Sequence, residues 1–143
     1  QYFIRRIVFL QSGQEFFISA AQSQNLHARF SIQQGRTQRQ NISKSHAADV
    51  LLSKPGGLSS TEAAVKGVPL VHMNPLPGWE EDNVRFFTAK GMSLTGKDAG
   101  EMARSALLLL KEPVAAKVMH RCQQANINPE AARDILAALD SKK

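Results

Sequence analysis

Cysteine is nearly absent from this chain, and so are two of the aromatic residue types. Among 143 residues there is one cysteine, one tryptophan and one tyrosine. A lone Cys122 excludes an intramolecular disulfide and a cysteine-based metal cluster, and it is typical of a reducing cytoplasm. The apolar run at residues 107–110 is far shorter than the roughly twenty residues of a membrane-spanning helix. We therefore expect a cytoplasmic protein, with peripheral attachment to a membrane left open.

Acidic residues are scarce in the first third of the chain. Residues 1–54 carry seven Lys or Arg against two Asp or Glu, which accounts for most of the net charge of +6. Three interpretations are open: a solvated surface, attraction to anionic lipid headgroups, and nucleic-acid binding. No aromatic interleaving accompanies the charge, so we expect no nucleic-acid partner.

The length suits one domain with a hydrophobic core. In the first third, apolar patterning predicts a strand at residues 7–10, a helix over 14–24 and a strand at 26–32. The polar stretch 33–45 predicts a loop or a weak helix.

The last third predicts helices that pack on a sheet. Asp98 and Glu101 have the spacing of a capping box, and Pro113 interrupts the helix that follows. A second helix is predicted over about 114–125, and Asn128 with Pro129 begins a third. The apolar faces of the first and third helices are formed by Ala103, Ala106, Leu107 and Leu110, and by Ala132, Ile135, Leu136 and Leu139.

The most informative stretch covers residues 54–72. An apolar strand at 49–53 is stopped by Lys54-Pro55-Gly56-Gly57, and a helix follows in which Ser59 and Glu62 have capping-box spacing. Gly67 ends that helix. A glycine turn after a parallel strand lets backbone N–H groups approach an anion, and the helix dipole adds roughly half a positive charge. The pattern favours a diphosphate site, although glycine pairs also occur at such turns for packing alone.

A second loop reaches the same edge of the sheet. The apolar strand at 68–73 is followed by Asn-Pro-Leu-Pro-Gly-Trp-Glu-Glu-Asp-Asn at residues 74–83. The carboxyl edge of a parallel sheet is where α/β proteins bind their ligands. The two loops are therefore expected to converge on one site.

With both loops in view, the run 49–95 resembles the donor-sugar half of glycosyltransferases that make glycolipids, of the monogalactosyldiacylglycerol synthase and processive diacylglycerol glucosyltransferase type. The matching pieces are Ser53-Lys54-Pro55-Gly56-Gly57, Thr61-Glu62-Ala63, Gly67-Val68-Pro69, Pro75-Leu76-Pro77-Gly78 and the run from Glu80 to Asn83.

The resemblance implies an α/β fold: a Rossmann-like parallel sheet flanked by helices, one half (the C-terminal domain) of a GT-B glycosyltransferase, here without its first βα unit. Residues 1–143 would form part of this UDP-sugar-binding domain. Within it, 1–48 would be an N-terminal βαβ portion, 49–95 the donor-binding region and 96–143 the C-terminal helices.

In that family the glycine loop holds the diphosphate of a UDP-sugar, the helix glutamate takes the ribose hydroxyls, and a Pro-Gly-Gln-Glu loop holds the sugar. The resemblance thus implies a donor site made of Lys54, Gly56, Gly57, Ser59 and Ser60 around the diphosphate, Glu62 at the ribose, Trp79 and Glu80 at the sugar, and Asn83 supporting the sugar loop.

Three of these positions carry alternatives. Lys54 could pair with phosphate or merely place its charge at the edge of the loop. Glu62 could instead be a capping-box carboxylate for Ser59, and Glu80 could belong, with Glu81 and Asp82, to an acidic first turn that complements the helix dipole.

Trp79 departs from the resemblance. It stands where that family has glutamine, and an indole offers one donor and no acceptor. It could stack on a sugar face, but the sugar specificity of the family does not carry over.

No histidine is a convincing catalytic base. His72 is the best placed, at the end of the strand that feeds the sugar loop, but a packed side chain is the favoured interpretation. His27, His46 and His120 show no catalytic pattern, and no metal-ligand spacing is evident.

The resemblance implies an inverting hexosyltransferase that moves a hexose from a UDP-sugar to a diacylglycerol-type lipid acceptor. UDP-sugar would be the donor substrate, with neither a cofactor nor a metal. The acceptor site and the catalytic base are expected in a missing N-terminal domain or a partner chain, so this chain alone is expected to be inactive. Two alternatives stay open: a non-catalytic nucleotide-sugar-binding subunit that needs a partner acceptor chain, and an inactive remnant.

Overall fold

The computed structural model describes residues 4–11, 14–21, 29–35 and 48–141. Its strands are β1 (Ile4–Gln11), β2 (Gln14–Ala21), β3 (Arg29–Gly35), β4 (Val50–Ser53), β5 (Leu70–His72) and β6 (Leu94–Thr95), and its helices are α1 (Gly57–Val65), α2 (Trp79–Ala89), α3 (Ala99–Lys111), α4 (Pro113–Asn126) and α5 (Ala131–Asp140). The strands form one sheet in the order β3-β2-β1-β4-β5-β6. The pairs β1–β4, β4–β5 and β5–β6 are parallel. The pairs β1–β2 and β2–β3 are antiparallel.

The helix predicted over residues 14–24 is wrong. Residues 14–21 form β2, which pairs antiparallel with β1 along its whole length. Gln11 pairs with Gln14, so two residues separate the strands in sequence, which is the commonest hairpin spacing. The run Phe16-Phe17-Ile18 has the aromatic and β-branched character that favours a strand over a helix. The first third therefore contributes a hairpin and a further strand in place of the predicted βαβ portion.

The other predictions for this third have mixed outcomes. The strand predicted at 7–10 lies within β1. The strand predicted at 26–32 overlaps β3, and the loop or weak helix predicted from residue 33 is wrong for 33–35, which belong to β3. His27, His46 and the predicted loop beyond Gly35 lie outside the described residues.

Alternating side chains of β4 enter two hydrophobic clusters on opposite faces of the sheet. Val50 and Leu52 pack with buried residues of α3, and Leu51 packs with buried residues of α1 and α2. Because successive side chains of a strand point to opposite faces, the three apolar residues of β4 can be buried on both sides. The buried strand predicted at 49–53 is thus confirmed as β4. The sheet lies between two layers of helices.

The C-terminal helices begin and end close to the predicted residues. The Asp98 carboxylate accepts a hydrogen bond from the Glu101 N–H at 2.8 Å, as predicted for the N-terminus of α3. The buried face of α3 is formed by Met102, Ala106, Leu109 and Leu110. Ala103 and Leu107, which we placed on the apolar face, are exposed. The predicted apolar face is therefore displaced around the helix by about one residue from the buried one.

The prediction that all three C-terminal helices pack on the sheet is wrong for α5. None of its residues is buried, and Ile135, Leu136 and Leu139 are each about 60% exposed. Asn128 does not cap this helix directly; its side chain accepts from the Glu130 N–H and donates to Asp134 one turn further on. Within the described part of the chain, no helix has the length and apolar character needed to cross a bilayer.

Gly67 terminates α1 in a conformation that suits glycine. Its φ is 67°, and a Cβ built there would fall on the imidazole ring of His120 in α4. Replacing it with alanine is expected to lower the free energy of unfolding by about 2 kcal/mol or more, from the left-handed backbone and the displaced ring. Chemical denaturation followed by circular dichroism measures this difference.

Gly91 provides the matched control for that substitution. Its φ is 68°, nearly the same, but its added Cβ would meet the Cys122 sulfur at 3.2 Å, a contact that small shifts relieve. Gly91→Ala should therefore cost less than Gly67→Ala. Equal losses would contradict the role given to the His120 ring.

Candidate functional site

The chain leaves β4 through a tight turn at Lys54, Pro55 and Gly56. The carbonyl oxygen of Lys54 accepts hydrogen bonds from the Gly56 N–H at 2.8 Å and from the Ser53 hydroxyl at 2.9 Å. Helix α1 begins directly afterwards at Gly57, with Gly56 as the residue before its first turn and no side-chain cap. The first N–H groups of such a helix have no intrahelical partner, so they are presented at the carboxyl edge of the sheet.

The early start of α1 overturns the predicted capping box. Ser59 lies inside the first turn of the helix, two residues after Gly57, and Glu62 lies in its middle. A capping box requires a residue before the helix, which here is Gly56. The alternative in which Glu62 merely caps Ser59 is therefore wrong. Glu62 is exposed on the same helical face as Ser59, because the two are three residues apart.

The two glycines of the turn have no packing reason for being glycine. A Cβ added at Gly56 or Gly57 would meet no atom within 4 Å. Gly56 has φ −77°, a value that other residues adopt readily, and Gly57 has no positive φ. Within the described part of the chain, the packing interpretation of this pair thus has no support.

The predicted diphosphate residues divide into two groups. Gly56, Gly57 and Ser59 lie at the start of α1 and are at least partly exposed, as is Lys54. Ser60 lies in the same turn but is fully buried, and its hydroxyl is 2.8 Å from the Nε2 of His72. The Ser60 side chain therefore pairs with the core histidine, and the predicted place of Ser60 beside the diphosphate stays a prediction.

The second loop is organised by its own carboxylates. Glu80 Oε2 accepts a hydrogen bond from the Leu76 N–H at 2.8 Å, and Glu81 Oε2 accepts from the Gly78 N–H at 3.3 Å. Asp82 forms an exposed ion pair with Arg85 at 3.0 Å. The acidic first turn of α2 thus orders residues 76–81. The contact with the Leu76 N–H occupies one of the two carboxylate oxygens of Glu80.

Asn83 connects the two loops. Its side-chain N–H group donates to the Pro55 carbonyl oxygen at 2.8 Å, across 28 positions in sequence. We predicted that Asn83 supports the sugar loop; the contact that the structure shows runs from Asn83 in α2 to the turn after β4. The turn after β4 and the loop after β5 are therefore fixed relative to each other.

Trp79 is the first residue of α2 and is 90% exposed. Leu76 in the same loop and Leu58 in the first turn of α1 are also exposed. The edge that carries the polar backbone groups thus also carries apolar side chains, including a flat ring of the kind that stacks on sugars.

His72 is buried at the end of β5, and both of its ring nitrogens are occupied. Nε2 is paired with the Ser60 hydroxyl, Nδ1 is 3.1 Å from the Ser93 hydroxyl, and the ring packs edge-on against Phe87 at 5.4 Å between centroids. Burial lowers the pKa of His72 from 6.5 to about 4, because desolvation disfavours the imidazolium. The packed interpretation of His72 is confirmed.

Sequence reasoning missed this pairing of His72 with two serines. A signal was present: His72 is two residues after Leu70 in an apolar strand, so strand alternation places both on one buried face. A buried imidazole needs polar partners, and Ser60 shares a helical face with Ala63 and Ala64.

Among the described residues, no cluster of three or more His, Cys, Asp or Glu side chains has the geometry to hold a metal ion. His120 lies in α4 against Gly67, on the far side of α1 from the glycine turn.

The parallel strands with flanking helices, and two loops joined at their carboxyl edge, define an α/β domain of the class that binds ligands at that edge. The fold is that of one part of a GT-B glycosyltransferase, as predicted, except that β1, β2 and β3 pair antiparallel where a parallel sheet was predicted. It is similar to the crystal structure of the glycotransferase of kitacinnamycin, with a TM-score of 0.54, 17% identity and coverage of 72% of this chain and 28% of that one.

At the sequence level the chain is similar to processive diacylglycerol beta-glucosyltransferases. It is 32% identical over 89 residues to that of Bacillus cereus (strain B4264), covering 62% of this chain and 23% of the relative. It is 30% identical over 86 residues to that of Bacillus thuringiensis (strain Al Hakam), covering 60% and 22%. The predicted resemblance is confirmed, and the chain spans less than a quarter of the length of these relatives. No family model matches the chain.

Proposed function

We propose that this chain is the donor-binding part of a glycosyltransferase that transfers a hexose from a UDP-sugar to a diacylglycerol-type lipid. The observation that carries the proposal is the Gly56-Gly57 turn. The first N–H groups of α1 have no side-chain cap there, and no described residue lies within 4 Å of a Cβ added at either glycine. Backbone amides at a helix N-terminus suit a diphosphate, and the positive end of the helix dipole adds to the attraction.

The neighbouring loop supplies the rest of the proposed site. Asn83 fixes the loop that carries Trp79 and Glu80 against the glycine turn, so a nucleotide held by its diphosphate would place its sugar beside that loop. The exposed Trp79 indole would stack on the sugar, and the second oxygen of Glu80 would accept from a sugar hydroxyl.

The proposed reaction is an inverting displacement. The amides of Gly57 to Ser59, with Lys54, would stabilise the charge that develops on the departing UDP diphosphate. Deprotonation of the acceptor hydroxyl and binding of the lipid are assigned to residues outside these 143. A basic surface that attracts anionic lipid headgroups would bring the enzyme to its acceptor, and this too is part of the proposal.

The test is isothermal titration with UDP, UDP-glucose, UDP-galactose and 2′,3′-dideoxy-UDP, on the wild-type chain and on Glu62→Ala. If Glu62 takes the ribose hydroxyls, the substitution should weaken UDP by about tenfold or more, because a charge-assisted hydrogen bond is lost.

The dideoxy nucleotide is the control for this test. It lacks the hydroxyls that Glu62 would bind, so wild type and Glu62→Ala should bind it equally. A folded wild-type chain that binds none of the four ligands would refute the proposed function. UDP binding that Glu62→Ala leaves unchanged would refute only the ribose role.

A further inference from the structure

Ser60, His72 and Ser93 form a buried chain of hydrogen bonds that starts in the proposed donor site. Ser60 and His72 have no exposed surface, and Ser93 has almost none. The Ser60 hydroxyl is 2.8 Å from Nε2 and the Ser93 hydroxyl is 3.1 Å from Nδ1. This series of hydrogen bonds thus connects α1, the end of β5 and the residue that precedes β6.

The two hydrogen bonds of the ring have opposite directions. A neutral imidazole carries one N–H donor and one acceptor nitrogen, so one serine donates to the ring and the other accepts from it. The backbone of His72 is held as well, since its carbonyl oxygen accepts from the Gly96 N–H at 3.2 Å and from the Thr95 hydroxyl at 3.3 Å. The ring is therefore a fixed attachment point on the sheet.

Ser60 connects this point to the amides of α1. Its N–H donates to the Gly56 carbonyl oxygen at 3.1 Å and so closes the first turn of the helix. The three residues between them, 57–59, supply the N–H groups that lack intrahelical partners. The position of Ser60 relative to β5 consequently fixes where these amides point.

We propose that His72 is a positioning residue for the nucleotide: by holding the Ser60 hydroxyl, it sets the direction of the α1 amides that bind the diphosphate. This inference rests on the proposed function. It gives His72 and Ser60 a role through the helix rather than by contact with the ligand. An apolar pair would fill the same space, but only a directional bond fixes the helix along its own axis against the strand.

The test compares UDP with uridine, which lacks the diphosphate, in titrations of wild type, Ser60→Ala, His72→Leu and His72→Gln. Ser60→Ala and His72→Leu should weaken UDP by about tenfold and uridine by less, because uridine has only the ribose contact of Glu62 on the same helix and none to the amides. His72→Gln can still pair with Ser60 and should recover most of the loss. Ser93→Ala is the matched comparison, since it removes the other bond of the same ring without touching α1; it should lower the unfolding midpoint and change the UDP-to-uridine affinity ratio less than Ser60→Ala does.

Each outcome separates the positioning role from simple packing. An affinity ratio that stays at the wild-type value in both Ser60→Ala and His72→Leu overturns the inference, even if both variants are less stable. The same holds if Ser93→Ala changes the ratio as much as Ser60→Ala does. If the wild-type chain binds neither ligand, it is the proposed function that fails. Ser60→Ala keeps a strong helix former in α1, so a folded variant is available even if His72→Leu does not fold.

Discussion

Gly57→Glu is expected to weaken UDP binding by about 100-fold while the chain stays folded. A Cβ added at Gly57 meets no atom of the described residues within 4 Å, so the backbone has room for a side chain there. A carboxylate in the first turn of a helix stabilises it by about 0.3–1 kcal/mol through the helix dipole. The same carboxylate would occupy the place of the diphosphate and repel it, and a hundredfold loss corresponds to about 2.7 kcal/mol. Titration with UDP and chemical denaturation measure the two effects.

Gly57→Gln separates charge from size in this experiment. Glutamine has nearly the same shape as glutamate without the charge, so it should lose less UDP affinity than the glutamate variant. Both variants should bind uridine alike. Wild-type affinity for UDP in Gly57→Glu would show that the diphosphate does not lie at this turn.

Acidification is expected to destabilise the chain through His72 by about 3 kcal/mol between pH 6.5 and pH 4. The pKa of His72 is lowered from 6.5 to about 4 in the folded state by burial. Between these values the unfolded chain binds a proton that the folded chain does not, so the free energy of unfolding falls as the pH falls. Above pH 6.5 the imidazole is neutral in both states, and this loss is absent. A shift of about 2.5 pKa units corresponds to about 3 kcal/mol.

The measurement is a series of urea denaturations from pH 7.5 to pH 4, on wild type and on His72→Gln. Carboxylates also titrate in this range, but they do so in both proteins. The difference between the two pH slopes therefore belongs to His72, and the variant should show the shallower slope. Parallel slopes would contradict the lowered pKa.

The region of the candidate site was largely predictable from local sequence. The apolar run at 50–53, the glycine turn and the strand before Met73 are each stopped by residues with strong backbone preferences, and the structure places them in that order. Their meeting at one edge follows from parallel topology alone. Gly67 could likewise be assigned to the end of α1 because a left-handed residue is usually glycine there.

Other features depend on contacts that one-dimensional patterns do not contain. The apolar side chains of residues 14–21 are compatible with a helix or a strand. In the structure these residues form a strand that is stabilised by pairing with β1. The Ser59 and Glu62 spacing looked like a capping box, but the turn at Lys54 starts the helix earlier. The partners of His72 come from positions 12 residues before it and 21 after it, which no local window covers.

The exposed apolar stripe of α5 means that the resistance of this chain to unfolding is unevenly distributed. Helices α1 and α3 gain their stability from side chains buried on the sheet, whereas α5 buries none. A ten-residue helix without tertiary packing is marginal in water, because its few hydrogen bonds barely offset the entropy of nucleation. Within the described part of the chain, helical order at α5 is thus maintained locally. Any surface that covered Ile135, Leu136 and Leu139 would add the buried area that this helix lacks.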